Sequence, residues 1–148
     1  MNIGIIGLGF MGSTHLKALK HVPEAKLAAV VSHDPKKLSG DLTAIQGNLG
    51  GPGEVFDFSN IGRYTTVEDM LADPNVEAVD ICLPTQHHEP VTLQALEAGK
   101  HVLVEKPMAL DGDGADRMVE AARKADRILM AAQVLRFFPS YVALREKL

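Results

Sequence analysis

The chain contains one cysteine, so it cannot close an internal disulfide. Cys82, set between Ile81 and Leu83, reads as a reduced, buried thiol. No apolar run approaches the roughly eighteen residues of a spanning helix. Met1 leads directly into a strand-like apolar run, which leaves no charged leader or cleavage site. The expectation is a cytoplasmic protein with no membrane partner. Positive charge is scarce as well: 15 Lys and Arg against 19 Asp and Glu leave a net charge of -4. That removes any electrostatic reason to expect nucleic acid or an anionic membrane as a partner. No internal repeat is visible, and the only low-complexity stretch is glycine-rich, at residues 47–53. What is present is 46% hydrophobic content over 148 residues, enough for one domain with a real core and too little chain for two full ones.

The most informative stretch is the first fifteen residues. An apolar run at 3–6 feeds directly into Gly7-x-Gly9-x-x-Gly12, with Phe10 and Met11 between the last two glycines. This spacing predicts a strand turning sharply into a helix over a dinucleotide phosphate. Gly7 permits the tight turn, Gly9 lets backbone approach the pyrophosphate, and Gly12 lets the helix pack close to the strand. The orphan N–H groups of the helix then face the anion. Leu16, Leu19 and Lys20 continue the helix until Pro23.

Further along, apolar runs predict buried parallel strands at 26–31, within 76–83, at 101–104 and at 128–132, with a short edge strand at 63–65. Helical patterns separate them: a brief one opened by Thr66-x-x-Asp69, one after residue 88 ended by Gly99, and one over 111–125. Alternation of this kind predicts an α/β, doubly wound parallel sheet of about six strands with helices on both faces, the Rossmann fold. Residues 1–135 form the dinucleotide-binding domain on this reading, and 136–148 open a connecting helix. The long segment at 46–62 admits three roles: a lid near the adenine, a flap docking a partner through Phe56 and Phe58, or a neutral insertion.

The turn after the second strand lies where such folds read the adenosine ribose. An acidic residue at the strand end would bind both ribose hydroxyls and repel a 2′-phosphate. Ser32 stands there instead, with His33 beside it and Lys36 and Lys37 one turn on. A small hydroxyl with cations nearby favours NADP; Asp34 is the alternative partner, and with it NAD. At the far end of the sheet, Glu105-Lys106-Pro107 follows the fifth strand, a charged pair that folding does not require. A cation there suits hydride transfer, since charge develops on a carbinol oxygen as the hydride leaves. His87 reads as solvent-facing and His101 as packed at a strand start. Metal binding by His15, His33, His87 or His88 is disfavoured, because no carboxylate or thiolate accompanies them at ligand spacing.

Gly-Leu-Gly-Phe-Met-Gly at 7–12, Pro-Thr-Gln-His-His at 84–88, Ala-Gly-Lys-His-Val at 98–102, Glu-Lys-Pro at 105–107 and Arg-Phe-Phe-Pro-Ser-Tyr at 136–141 together resemble the Gfo/Idh/MocA oxidoreductases. The resemblance covers essentially the whole chain. It implies that Lys106 is the site lysine beside the nicotinamide, that Leu83, Pro84, Thr85 and His88 form the nicotinamide-side wall, and that Glu105 lies near the nicotinamide ribose. Thr85 stands where the family commonly has asparagine. The family carries a second, mostly antiparallel domain supplying substrate contacts, a second acid/base group and the oligomer interface; this chain is expected to be the cofactor-binding half. The implied activity is hydride transfer between NADP or NAD and a sugar, cyclitol or related polyol. A cofactor-sensing module without turnover is the alternative, and transient cofactor use in epimerisation or bond cleavage a third. An exposed face where the second sheet docks is expected to favour homo-oligomers.

Overall fold

A computed structural model describes residues 1–47 and 53–148. The six strands are β1 (Asn2–Ile6), β2 (Lys26–Val31), β3 (Gly62–Tyr64), β4 (Ala78–Ile81), β5 (His101–Val104) and β6 (Leu129–Ala131). They form one sheet in the order β3-β2-β1-β4-β5-β6, and every neighbouring pair is parallel. The crossovers carry α1 (Phe10–Leu19), α2 (Pro35–Leu38), α3 (Val67–Leu71), α4 (His88–Glu97) and α5 (Gly112–Ala125), and α6 (Pro139–Arg145) follows β6. Strand order reverses between β1 and β4, the switch point at which open parallel sheets bind ligands.

Successive side chains of a strand point to opposite faces, so one apolar run serves two cores. Ile6, Ala29, Val31 and Ile81 pack with Met70, Leu71, Ala95, Leu96, Met118 and Ala122 of α3, α4 and α5. Ile5 and Val30 face the other way, against Leu16 of α1 and against Leu42, Phe56 and Phe58. Phe56 and Phe58 therefore correct one expectation. They dock on the chain's own core, their rings stacked 6.0 Å apart, and present no aromatic face to a partner. Lys20 seals the edge of this cluster, its ammonium 4.6 Å from the Phe56 ring centroid and paired with Glu54. The central part of the glycine stretch lies outside the described residues.

Beyond α1, the same face of β4 to β6 is covered by no other helix among the described residues. It forms an apolar groove of about 410 Å3 lined by Leu19, Val22, Leu103, Ile128 and Met130, with His15 and Asp80 at its polar end. Lys100 is buried, and its ammonium donates to the carbonyls of Asp73 and Val76, both at 2.8 Å, tying the end of α3 to the turn before β5. His101 Nδ1 accepts the Ile128 N–H at the start of β5, in the packing role expected for it.

Candidate active site

The glycine turn fills the gap at the end of β1. Gly7 has a φ of 99°, a left-handed conformation that disfavours any side chain, and its N–H donates to the Val31 carbonyl. A Cβ on Gly12 would overlap the Gly7 carbonyl oxygen, so helix and strand meet backbone to backbone. Gly9 differs from both: a Cβ there would meet nothing within 4 Å. Asp34, Thr66 and Asp111 cap α2, α3 and α5 with side-chain oxygens, whereas α1, like α4 and α6, begins with no side-chain cap, and it has no acid in its first turn. Its leading N–H groups and positive dipole end are left for an anion, the fit a dinucleotide pyrophosphate requires. Phe10 and Met11 are half-buried at this start, and the Gly47 backbone lies against the Phe10 ring.

Across the switch point, the segments after β4 and β5 form a second wall. The Cys82 N–H donates to the Ile6 carbonyl and the Glu105 N–H to the Ile81 carbonyl, extending the ladder past the strand ends. Leu83 and Thr85 are half-buried and Pro84 is exposed, at the lip. Lys106 is exposed, and its ammonium has no hydrogen-bond or ion-pair partner among the described residues. A lysine at a strand end without a structural partner is free to meet a substrate oxygen.

His88, expected on that wall, sits behind it, and so does Glu105, expected near the nicotinamide ribose. His88 is buried, with Nδ1 at 2.7 Å from the Pro107 carbonyl and Nε2 at 2.7 Å from the Leu83 carbonyl. Its ring pins the two wall segments together and exposes no nitrogen to a ligand. The Glu105 carboxylate is likewise buried: Oε2 accepts the Lys106 N–H at 3.0 Å, and Oε1 lies 3.2 Å from His15 Nε2. It faces inward, toward His15 and the Lys106 backbone N–H. His87 is exposed, as expected.

His15 itself is the residue that sequence reasoning missed. Its Nδ1 donates to Asp80 at 2.7 Å and lies 3.4 Å from Cys82 Sγ. The absence of carboxylate and thiolate partners was true of local spacing only; the fold brings Asp80 and Cys82 to His15 from about 65 residues away, their ligand-capable atoms within 4.8 Å of one another. The bond to Asp80, opposed by burial and helped by the charges of Asp80 and Glu105, raises the His15 pKa above the usual 6.5. Burial, with the Asp80 and Glu105 carboxylates adding to it, pushes the Cys82 thiol up and keeps it protonated. The one signal available was a histidine three residues past the last glycine of the turn, one helical turn deeper.

At the ribose end, β2 stops at Val31, so Ser32 occupies the strand-end position. Its N–H donates to the Tyr64 carbonyl and its hydroxyl accepts the Asp34 N–H. Asp34 spends one carboxylate oxygen on the Lys36 N–H as the cap of α2. Lys36 pairs with Asp41 at 3.3 Å, while His33 is exposed and the Lys37 ammonium has no partner among the described residues.

A parallel sheet in this order, with an uncapped glycine-built helix start at its switch point, is a nucleotide-binding Rossmann domain. The chain belongs to the Gfo/Idh/MocA oxidoreductase family: residues 1–133 match its description, an oxidoreductase family with an NAD-binding Rossmann fold. It is 33% identical over 146 residues to myo-inositol 2-dehydrogenase of Thermotoga maritima, covering 99% of this chain and 40% of that one. It is 32% identical over 145 residues to D-xylose 1-dehydrogenase (NADP(+)) of Hypocrea jecorina, covering 97% of this chain and 36% of that one. A solved structure of a probable dehydrogenase from Thermotoga maritima superposes with a TM-score of 0.81 at 30% identity, over 99% of this chain and 40% of its own. The chain thus spans about two fifths of the length of these relatives. Among the described residues no helix is long and apolar enough to cross a membrane.

Proposed function

We propose that this chain is the cofactor-binding part of an NADP-dependent oxidoreductase that moves a hydride between the nicotinamide and a carbinol or carbonyl carbon of a sugar, cyclitol or related polyol. The observation that carries the reading is the unpaired Lys106 ammonium at the end of β5, on the wall facing the open glycine turn. The first-turn N–H groups of Phe10, Met11 and Gly12 hold the pyrophosphate. Leu83, Pro84 and Thr85 shape the nicotinamide pocket, with His88 and Glu105 bracing them from behind. The bound cofactor supplies the hydride donor or acceptor. Lys106 meets the substrate oxygen and stabilises its developing charge, or moves the proton as the oxygen changes state.

NADP is favoured over NAD by the ribose end. Ser32 and the unengaged Lys37 suit a 2′-phosphate, with His33 beside them, and the Asp34 carboxylate is partly committed to its cap. The relatives' names support a polyol or sugar substrate: one is an inositol dehydrogenase and one a xylose dehydrogenase. Residues 136–148 lead toward a substrate domain, and Phe137, Phe138, Tyr141 and Leu144, each about half exposed or more, offer the apolar surface for it. The same exposure supports association between copies, which light scattering of the isolated chain reads as a mass above that of one copy.

Side-by-side fluorescence titrations with NADPH and NADH test the reading, repeated on Ser32→Asp. Tighter NADPH binding that reverses in the variant is the expected result. NADH preferred by the parent moves the ribose contact to Asp34, and binding of neither overturns the proposal.

A further inference from the structure

Four side chains that cofactor binding leaves unused meet beneath the glycine turn. His15 comes from the second turn of α1, Asp80 from β4, Cys82 from just past β4 and Glu105 from just past β5. The contacts run in one line, from Asp80 through His15 to Glu105 and on to the backbone N–H of Lys106. They link the helix of the glycine turn to the loop that carries the proposed site lysine.

We propose that His15 is a positioning residue for the Lys106 loop: as an imidazolium it holds the Glu105 carboxylate where that group accepts the Lys106 N–H, and as a neutral ring it releases it. The bearing on catalysis rests on the reading of Lys106 as the site lysine; the linkage itself does not.

Carboxylates only accept, and the Nδ1 hydrogen is committed to Asp80, so Nε2 has a hydrogen for Glu105 only while both ring nitrogens are protonated. Glu105 Oε1 is fully buried and has no hydrogen-bond partner among the described residues. At 3.2 Å from Nε2 it is held by charge more than by a well-aligned bond. Loss of the proton sets a nitrogen lone pair against that buried anion, and the Glu105 side chain gains by turning away. The titratable groups facing His15 are Asp80, Cys82 and Glu105. The two carboxylates favour the charged ring, and the protonated Cys82 thiol adds no charge. His15 and Asp80 also border the apolar groove, which gives the ring a route for proton exchange.

The test is an NMR titration of the whole chain between about pH 5 and about pH 9, the range in which histidine charge changes. The His15 ring and the Lys106 backbone amide are followed in the parent, in His15→Gln and in Glu105→Gln. The expected result is that both signals titrate together with a midpoint above 6.5. The Lys106 titration is lost in both variants, and the His15 midpoint falls in Glu105→Gln. A Lys106 amide that stays flat in the parent, or titrates unchanged in His15→Gln, overturns the proposal. If His15→Gln does not fold, Glu105→Gln carries the same decision: a Lys106 amide still following His15 there refutes the linkage. NADPH titration of the parent separately tests the cofactor reading, so failure of one is distinguishable from failure of the other.

Discussion

The α-carbon of Gly12 lies so close to the Gly7 carbonyl that a methyl group in its place would overlap the oxygen. The two residues are five apart, one ending the strand side of the turn and the other in the first turn of α1. Their contact lets the helix rise directly off the sheet.

This separates the effects of two alanine substitutions. Gly12→Ala is expected to destabilise the fold by about 2 kcal/mol or more, the scale of overpacking against backbone that cannot yield. Gly9→Ala is expected to leave stability within about 0.5 kcal/mol, since its backbone is extended and nothing lies nearby, yet to weaken cofactor binding at least about tenfold. Urea denaturation and NADPH titration of the two variants check the contrast.

Lys106→Met is predicted to fold and bind cofactor as the parent does, because the ammonium supports nothing in the structure. Joined to a substrate domain, its turnover should fall by roughly 10² to 10⁴, the usual weight of a positioned acid or base. Loss of cofactor affinity in step with turnover would count against a chemical role. The two titrations and a steady-state assay read these separately.

Stability should depend on pH through His15. Its folded pKa is raised above 6.5, so the folded state binds its proton more tightly than the unfolded chain does. The contribution is complete below 6.5 and is lost as pH rises through the folded value. Stability differences between the parent and His15→Gln, read from parallel denaturation curves, should therefore be constant below 6.5 and shrink as pH rises above it. Curves that diverge as pH rises would contradict the assignment.

Lys100→Met removes two hydrogen bonds at once; the Asp73 carbonyl keeps the Val76 N–H, whereas the buried Val76 carbonyl loses the Lys100 donor. The expected cost is about 1 to 3 kcal/mol, the penalty for one buried group left unsatisfied. A lower urea midpoint with an unchanged slope would confirm a loss of stability without a change in compactness.

The linear order of residues determined the strands, the glycine turn and the ribose-end position. Each is a local matter of apolar runs bounded by turn residues, so β2 and β5 coincide with the predicted spans. Lys106 was legible for the same reason, as a charge at the end of an apolar strand. Tertiary structure decided where Glu105 and His88 turn, what Phe56 and Phe58 pack on, and that His15 meets Asp80. Those outcomes depend on β4 lying beside β1 across a reversal of strand order. Local periodicity describes which face a residue occupies, and only the pairing of distant strands settles which side chains from other elements share that face.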